Sequence, residues 1–189
     1  MQNWEPWVDL ADSGIHVEIT GTTRAGIMRF RYPKKNAWIV IENNALRGGG
    51  YIQIDVARQE ITGANTLPRL YAGNGKPAGF SGYFVIQFDR PFKVGGTWSG
   101  GKRSDGVTRQ EATEGAPGAF VSFDLKTSTT VEARIGTSFT SIDEARRNLN
   151  VEIPNWDFDM VAQQSHDSWN NLLERIHVSG SSLCIGWQN

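Results

Sequence analysis

Cysteine, histidine and long apolar runs are all scarce in this sequence of 189 residues, and each scarcity excludes a class of site. The single cysteine, Cys184, excludes an internal disulfide and a cysteine-based zinc site. The three histidines, His16, His166 and His177, are too scattered to suggest a metal centre. No apolar run approaches the ~20 residues that a membrane-spanning helix needs, so we predict no membrane partner.

Neither positive nor negative charge predominates, because the formal net charge is -1 at pH 7. Nucleic-acid-binding domains normally cluster Lys and Arg, whereas basic pairs such as Lys34-Lys35 and Arg146-Arg147 are typical of solvated surface. We therefore predict no nucleic-acid partner. The first residues have neither the basic start nor the apolar stretch of a signal peptide, so the sequence as given predicts none.

Glycine and tryptophan, by contrast, are abundant, with 21 and 7 residues respectively. Glycine suits tight turns between short strands. A tryptophan ring can stack its flat apolar face on a sugar ring, but it is also a large residue for a protein core. The composition therefore leaves sugar binding and core packing as alternatives for the tryptophans.

Alternation of apolar and polar residues predicts a chain made mostly of β-strands. The predicted strands cover residues 15–20, 26–32, 37–42, 51–56, 58–63, 82–88, 119–124 and 129–136. Residues 37–42 are more continuously apolar than the others, which predicts a central strand with both faces covered. Residues 64–80 and 99–117 are rich in turn-forming residues and predict loops, the second of them a mobile excursion.

Near residue 141 the spacing of apolar residues changes from the alternation of a strand to the spacing of three and four typical of a helix. Ser141 to Glu144 matches the S-x-x-E capping box of a short helix that ends before Pro154. A second helix is predicted from Asp157, because apolar residues recur at spacings of three and four up to Ile176. The expected fold is mainly β: an antiparallel β-sandwich over 1–140, a helical linker segment packed on it over 141–178, and a tail over 179–189.

Five segments carry a family resemblance when they are taken in order. They are residues 18–33 (E-I-T-G-T-T-R-A-G-I-M-R-F-R-Y-P), 82–92 (G-Y-F-V-I-Q-F-D-R-P-F), 119–124 (A-F-V-S-F-D), 134–149 (R-I-G-T-S-F-T-S-I-D-E-A-R-R-N-L), and 156–176 with its W-D-F-D and W-N pairs. Together they resemble the N-terminal domain of glycoside hydrolase family 92, a family of calcium-dependent exo-acting α-mannosidases. The resemblance implies a β-sandwich joined by helices to an (α/α)6 barrel, and an extracellular or periplasmic location.

The resemblance also implies where the chemistry lies. It fades near Gly180, and the family's catalytic carboxylates and calcium ligands belong to the barrel, so this chain is expected to be truncated before them and to hold no cofactor. Inverting glycoside hydrolysis needs two carboxyl groups about 6.5–9.5 Å apart. The sequence singles out no such pair, because Asp157 and Asp159 fit a helix N-terminus. We assign no catalytic or metal-binding residue and predict no hydrolysis by this chain alone.

The expected function is that of a non-catalytic N-terminal domain of an α-mannosidase-like hydrolase, which supports the barrel and contributes to binding a mannose-containing glycan. A stand-alone lectin-like protein is the alternative. Four tryptophans that fall outside the predicted strands and helices are candidates for sugar stacking, with loop anchoring as the alternative for each: Trp4, Trp7, Trp98 and Trp187.

A second set of candidates concerns docking to the barrel. It consists of Arg24, Arg29, Trp169 and Leu173, although both arginines are equally suited to ion pairs within the domain. Trp38, Trp156 and Trp169 fit core or interdomain packing. An exposed docking face would also favour homo-oligomers. A lectin should instead show a solvent-facing aromatic ring beside Asn, Asp or Arg around a shallow pocket.

Overall fold

The computed structural model describes residues 7–43, 49–68, 77–112, 115–126 and 128–175. Its strands are β1 (Trp7–Leu10), β2 (Ile15–Gly21), β3 (Ala25–Arg31), β4 (Asn36–Glu42), β5 (Gly50–Asp55), β6 (Glu60–Pro68), β7 (Pro77–Phe88), β8 (Lys93–Ser99), β9 (Lys102–Asp105), β10 (Arg109–Glu111), β11 (Gly118–Asp124) and β12 (Thr130–Ser138). The helices described are α1 (Ile142–Glu152) and α2 (Phe158–Leu173). The prediction of a mainly β fold followed by C-terminal helices is confirmed.

The strands form two antiparallel sheets that pack face to face. The large sheet has the order β1-β2-β3-β12-β7-β6-β5-β10, and the small sheet has the order β4-β11-β8-β9. Side chains that alternate along the strands meet between the sheets, among them Ile52, Ile61 and Ile86 from the large sheet and Val121 and Phe123 from the small one. The main core therefore lies inside a β-sandwich.

The two helices cover the other face of the large sheet. Ser141 caps α1 by accepting a hydrogen bond from the Glu144 amide, as the capping box predicts, and Asp157 caps α2 in the same way. A second core beneath the helices contains Ile27 of β3 together with Leu149, Ile153, Phe158 and Val161. The molecule thus has three layers: small sheet, large sheet and helices. Neither described helix has the length and apolar character to cross a bilayer.

Two predicted loops were wrong in part. Within residues 64–80, β6 continues to Pro68 and β7 begins at Pro77, and within residues 99–117 the chain forms β9 and β10. The strands β1 and β8 were also not predicted. These segments are short or glycine-rich and carry little alternation, so backbone pairing with a neighbouring strand, rather than their own composition, makes them strands.

The prediction that residues 37–42 form a central strand was wrong as well. The strand β4 lies at the edge of the small sheet and buries only one face. Ala37 and Ile39 point into the core, whereas Trp38 is 51% exposed and Val40 is 66% exposed. Trp38 is therefore a surface residue and does not belong to the core that its apolar neighbours suggested.

Gly136 of β12 sets the distance between α1 and the large sheet. A Cβ at this position would lie 2.3 Å from the carbonyl oxygen of Ala145 and 2.6 Å from Cβ of Leu149. We expect Gly136→Ala to lower the free energy of unfolding by about 1–3 kcal/mol, because overpacking displaces the helix. Urea denaturation measures this change.

Gly82→Ala is the matched control, since the nearest atom to its new methyl group is Cε1 of Phe139 at 3.9 Å. We expect this variant to keep the stability of the parent. Equal stability of the two variants would contradict the close packing of α1 on Gly136.

Candidate functional site

An aromatic pocket opens on the outer face of the small sheet. Strand alternation turns Trp38 and Val40 of β4 and Phe120 of β11 away from the core. Trp98 of β8 and Arg103 of β9 complete the pocket at the far side of the sheet, and its volume is about 440 Å³. Hereafter, the aromatic pocket means Trp38, Val40, Trp98, Gly101, Arg103 and Phe120.

The rings of the aromatic pocket are tilted only moderately from one another. The centroid of Phe120 lies 6.1 Å from that of Trp38 and 6.4 Å from that of Trp98, with interplanar angles of 38° and 33°. Phe120 is buried and forms the floor. The Arg103 guanidinium lies 4.5 Å above its ring centroid and also pairs with Asp105, while 65% of the Arg103 side chain stays exposed.

Glycines opposite the rings provide the space in which they lie flat. Gly118 of β11 faces Trp98 in the strand register, and a Cβ at Gly118 would come within 1.9 Å of the indole. A Cβ at Gly95 would similarly lie 2.3 Å from the Phe120 ring. The pocket is therefore preformed, and its flat apolar walls with a cationic rim suit a ligand that has one apolar face and polar edges.

On the side of the large sheet away from the aromatic pocket, a chain of hydrogen-bonded side chains lies between the sheet and the helices. Arg134 of β12 is buried and donates to the carbonyl oxygen of Ile153 and to Oε1 of Gln87, both at 2.7 Å. Gln87 of β7 donates in turn to Oε1 of Glu60 on β6 at 2.7 Å. Burial lowers the pKa of Arg134, whose guanidinium also lies 4.3 Å from the ring centroid of Trp156.

Glu60 connects this chain of hydrogen bonds to α1. This carboxylate is 4% exposed, and Arg146 of α1 donates to both of its oxygens at 2.9 to 3.2 Å. The hydrogen bonds to Glu60 raise the pKa of Arg146. We call Arg134, Gln87, Glu60 and Arg146 the clamp, because together they fasten both α1 and the turn after it to three strands of the large sheet.

Both arginines that were candidates for docking bind groups inside this chain. Arg29 donates to Glu132 at 2.9 Å and to Asp159 of α2 at 3.1 Å, and only 15% of its side chain is exposed. Arg24 donates through Nε to Glu152 at 2.6 Å, at the end of α1. The structure thus gives both residues partners at the helix–sheet boundary, and a role in docking a further domain stays a prediction.

The other two docking candidates lie on the last turns of α2. Only the first turns of this helix are buried, through Phe158, Val161 and Ala162. Further along, Trp169, Leu172 and Leu173 are 63%, 53% and 66% exposed. We call these three residues the α2 patch, an apolar surface that nothing in the described part of the chain covers.

The structure separates the four tryptophans predicted to bind sugar. Trp98 belongs to the aromatic pocket, and its expected place outside the strands was wrong because it lies on β8. Trp7 lies on β1 of the other sheet, where it stacks on His16 with centroids 5.6 Å apart. Trp4 and Trp187 lie outside the described residues.

Five residues of the pocket were not predicted: Trp38, Val40, Gly101, Arg103 and Phe120. Phe120 had a signal in the alternation of 119–124, whereas the continuously apolar stretch 37–42 did not mark Trp38 as outward-facing. Nothing in either stretch indicates that the two strands share one exposed face. Among the described residues, no three His, Cys, Asp or Glu side chains gather as metal ligands. The expectation that calcium ligands lie in the barrel stays a prediction.

Comparison with protein families identifies the class. Residues 7–138 match the N-terminal domain of glycosyl hydrolase family 92, and residues 144–183 match the catalytic domain of the same family. The first match covers more than half of the chain. The chain belongs to glycosyl hydrolase family 92.

Similar proteins agree with this assignment. A family GH92 inverting mannosidase from Bacteroides thetaiotaomicron superposes with a TM-score of 0.76 at 26% identity, over 89% of this chain. A GH92 α-mannosidase from the same organism gives a TM-score of 0.77 at 22% identity over 93% of this chain, and supports the fold alone. A protein of Arthroderma benhamiae named an uncharacterized secreted glycosidase is 33% identical over 70 residues, which is 35% of this chain.

This chain spans only part of each relative. It covers 22% and 24% of the two mannosidases and 9% of the fungal glycosidase. The N-terminal-domain match ends with β12 and the catalytic-domain match begins inside α1, so the boundary between the two family domains falls between the end of β12 and the first turn of α1.

Removal of Arg146 from the clamp should lower the free energy of unfolding, because Glu60 would stay buried without its cation. We expect Arg146→Met to lower the free energy of unfolding by about 3–5 kcal/mol. The double variant Glu60→Gln with Arg146→Met removes both charges and should recover part of that loss. A double-mutant cycle by urea denaturation measures the coupling, and additive losses would contradict it.

Glu152 should make stability depend on pH. Burial acts to raise the pKa of its carboxyl group, but hydrogen bonds from Thr22 and from the backbone and side chain of Arg24 outweigh burial and lower it. The carboxylate therefore stabilises the fold above its unfolded pKa, and this contribution is lost as pH falls through the lowered folded pKa.

We expect Glu152→Gln to be less stable than the parent at pH 7 and to lose less stability on acidification. Urea midpoints between pH 7 and ~3 measure this slope. Glu111→Gln is the control, because Glu111 pairs with Arg109 on the exposed strand β10. Parallel pH curves for Glu152→Gln and the parent would contradict the assignment.

Proposed function

We propose that this chain is the non-catalytic N-terminal domain of an α-mannosidase-type hydrolase, and that it supports the catalytic barrel and contributes to glycan binding. One observation carries the supporting role. The family's catalytic-domain match starts at Glu144 within α1, and α1 is fastened to the N-terminal sheet by the clamp. The first segment of the catalytic domain is therefore packed as a layer of the N-terminal domain.

Buried apolar side chains also hold the helices on the large sheet. Leu149, Ile153 and Phe158 are completely buried against the large sheet. Burying each such side chain contributes roughly 1.5–3 kcal/mol, so the helices are held firmly before any further domain is added. The α2 patch then offers an apolar surface where the next elements of a barrel can pack.

A chimera tests the supporting role. Residues 1–175 of this chain would replace the corresponding N-terminal part of the Bacteroides inverting mannosidase, with the barrel left unchanged. We expect a soluble enzyme that hydrolyses α-mannosides. Replacing Trp169 and Leu173 by Ser in the chimera should lower its melting temperature by several degrees and its soluble yield, because the α2 patch would no longer exclude water from the barrel interface.

Val40→Ser is a control for that chimera, since Val40 is 66% exposed on the face opposite the helices. A barrel that folds and hydrolyses α-mannosides equally well without residues 1–175 would refute the supporting role. So would a chimera whose melting temperature is unchanged by the two substitutions in the α2 patch.

The aromatic pocket supports the contribution to glycan binding. Trp98 and Trp38 offer flat rings, and the Arg103 guanidinium at the rim can donate to sugar hydroxyls. Calorimetric titration of the chain with α-mannobiose tests this contribution: saturable binding at millimolar affinity or tighter supports it, and absence of heat removes it.

The stand-alone lectin-like protein is the second candidate, and the same pocket favours it. An exposed ring beside an Arg and an Asp around a shallow pocket is the pattern expected of a lectin. The α2 patch distinguishes the two candidates. A stand-alone lectin gains nothing from an apolar surface that the described part of the chain leaves exposed, whereas a domain of a larger enzyme can pack its next domain there. The patch favours the domain of a larger enzyme and also supports self-association of the isolated chain. We further propose that the protein acts outside the cytoplasm, as the name of its secreted fungal relative suggests.

A further inference from the structure

A second pocket adjoins the aromatic pocket on the outer face of the small sheet. It is lined chiefly by polar side chains and has a volume of about 370 Å³. We call it the polar pocket and define it by Asn36, Trp38, Lys93, Ser122 and Asp124. Trp38 lines both pockets, so the two cavities are neighbours that share one indole ring.

The strand register shows how far the two pockets extend. Gly118 of β11 faces Trp98 at one end, Ser122 faces Trp38 in the middle, and Asp124 faces Asn36 at the other end. Asp124 lies six positions beyond Gly118, which at ~3.4 Å per residue is ~20 Å along the strand. This length is several times that of one sugar ring, so the face is suited to a chain of sugars.

The charges on this face nearly cancel. Arg103 of the aromatic pocket pairs with Asp105, and Asp124 of the polar pocket lies 3.5 Å from Lys126 and shares its pocket with Lys93. These three cations and two carboxylates leave a net charge too small to select a charged ligand strongly. A flat protein partner would have to remove water from Lys93 and Asp124, whereas sugar hydroxyls can hydrogen-bond to both.

We infer that the outer face of the small sheet binds one neutral oligosaccharide lengthwise, with neighbouring sugar units in the aromatic and polar pockets on either side of Trp38. The inference rests on the proposed contribution to glycan binding and adds its extent and ligand class. The aromatic pocket stacks the apolar face of one unit, and the polar pocket hydrogen-bonds the hydroxyls of the next. The glycines opposite Trp98 and Phe120 leave the space that these rings occupy against the strands.

Calorimetric titration of the full chain with mannose, α-mannobiose and a linear α-mannotetraose tests the inference. We expect α-mannobiose to bind at least tenfold more tightly than mannose, because the disaccharide reaches both pockets, and the tetrasaccharide to bind at least as tightly as the disaccharide. Trp38→Ala should weaken binding of the tetrasaccharide by more than tenfold, because both pockets lose their shared wall. Ser122→Arg should fill the polar pocket and reduce the affinity for both oligosaccharides to that for mannose.

Trp169→Ala is the control, since Trp169 is an exposed tryptophan on α2, away from the small sheet. It should leave all affinities unchanged, and circular dichroism should show the parent's melting curve for every variant compared.

Several outcomes would overturn the inference. Equal affinity for mannose and α-mannobiose would refute the second pocket but leave the glycan contribution standing. Tight binding that survives Trp38→Ala would place the site elsewhere. Absence of all saccharide binding would remove the glycan contribution as well. A dimer in sedimentation that Trp38→Ala abolishes would assign this face to a second copy of the chain.

Discussion

The arrangement of the molecule depends on charged groups that lie between the large sheet and its helices. Glu60 and Arg134 point out of the sheet on the side that α1 covers, and burying either one alone would cost several kcal/mol. The helix can lie there only in the register that brings Arg146 to Glu60 and the Ile153 carbonyl to Arg134. The clamp therefore specifies where α1 packs, and apolar burial supplies most of the attraction.

The opposite face of the sandwich obeys a different constraint. No helix covers the small sheet in the described part of the chain, and Trp38, Trp98 and Phe120 nevertheless face outward at one end of it. Exposed aromatic surface lowers solubility, so its presence beside paired charges supports the proposed contact with a ligand. The two faces thus differ: one packs the helices in which the catalytic-domain match begins, and the other leaves aromatic rings open to solvent.

Sequence reasoning succeeded where local rules decide the structure. The capping box at Ser141, the spacing of Phe158 and Val161, and the alternation in β11 and β12 follow from one segment at a time. The sequence-based predictions were wrong where the structure depends on contacts between segments that are distant in sequence. The strand β8 becomes a strand through its pairing with β11 and β9, and Trp38 is exposed because it lies on the face of the small sheet that no described helix covers. The aromatic pocket joins four strands, so no single stretch of sequence reveals it.

A binding face remote from the helices has a mechanistic consequence for an enzyme that contains this domain. In the proposed arrangement the barrel attaches at α1 and α2, so sugar on the outer face of the small sheet would lie on the other side of the large sheet from it. Such a face cannot stabilise a transition state, because only groups at the reacting atoms bind it more tightly than the ground state. It can raise the local concentration of a long or tethered glycan. Its loss should therefore weaken the apparent affinity for large substrates and leave kcat for small mannosides unchanged.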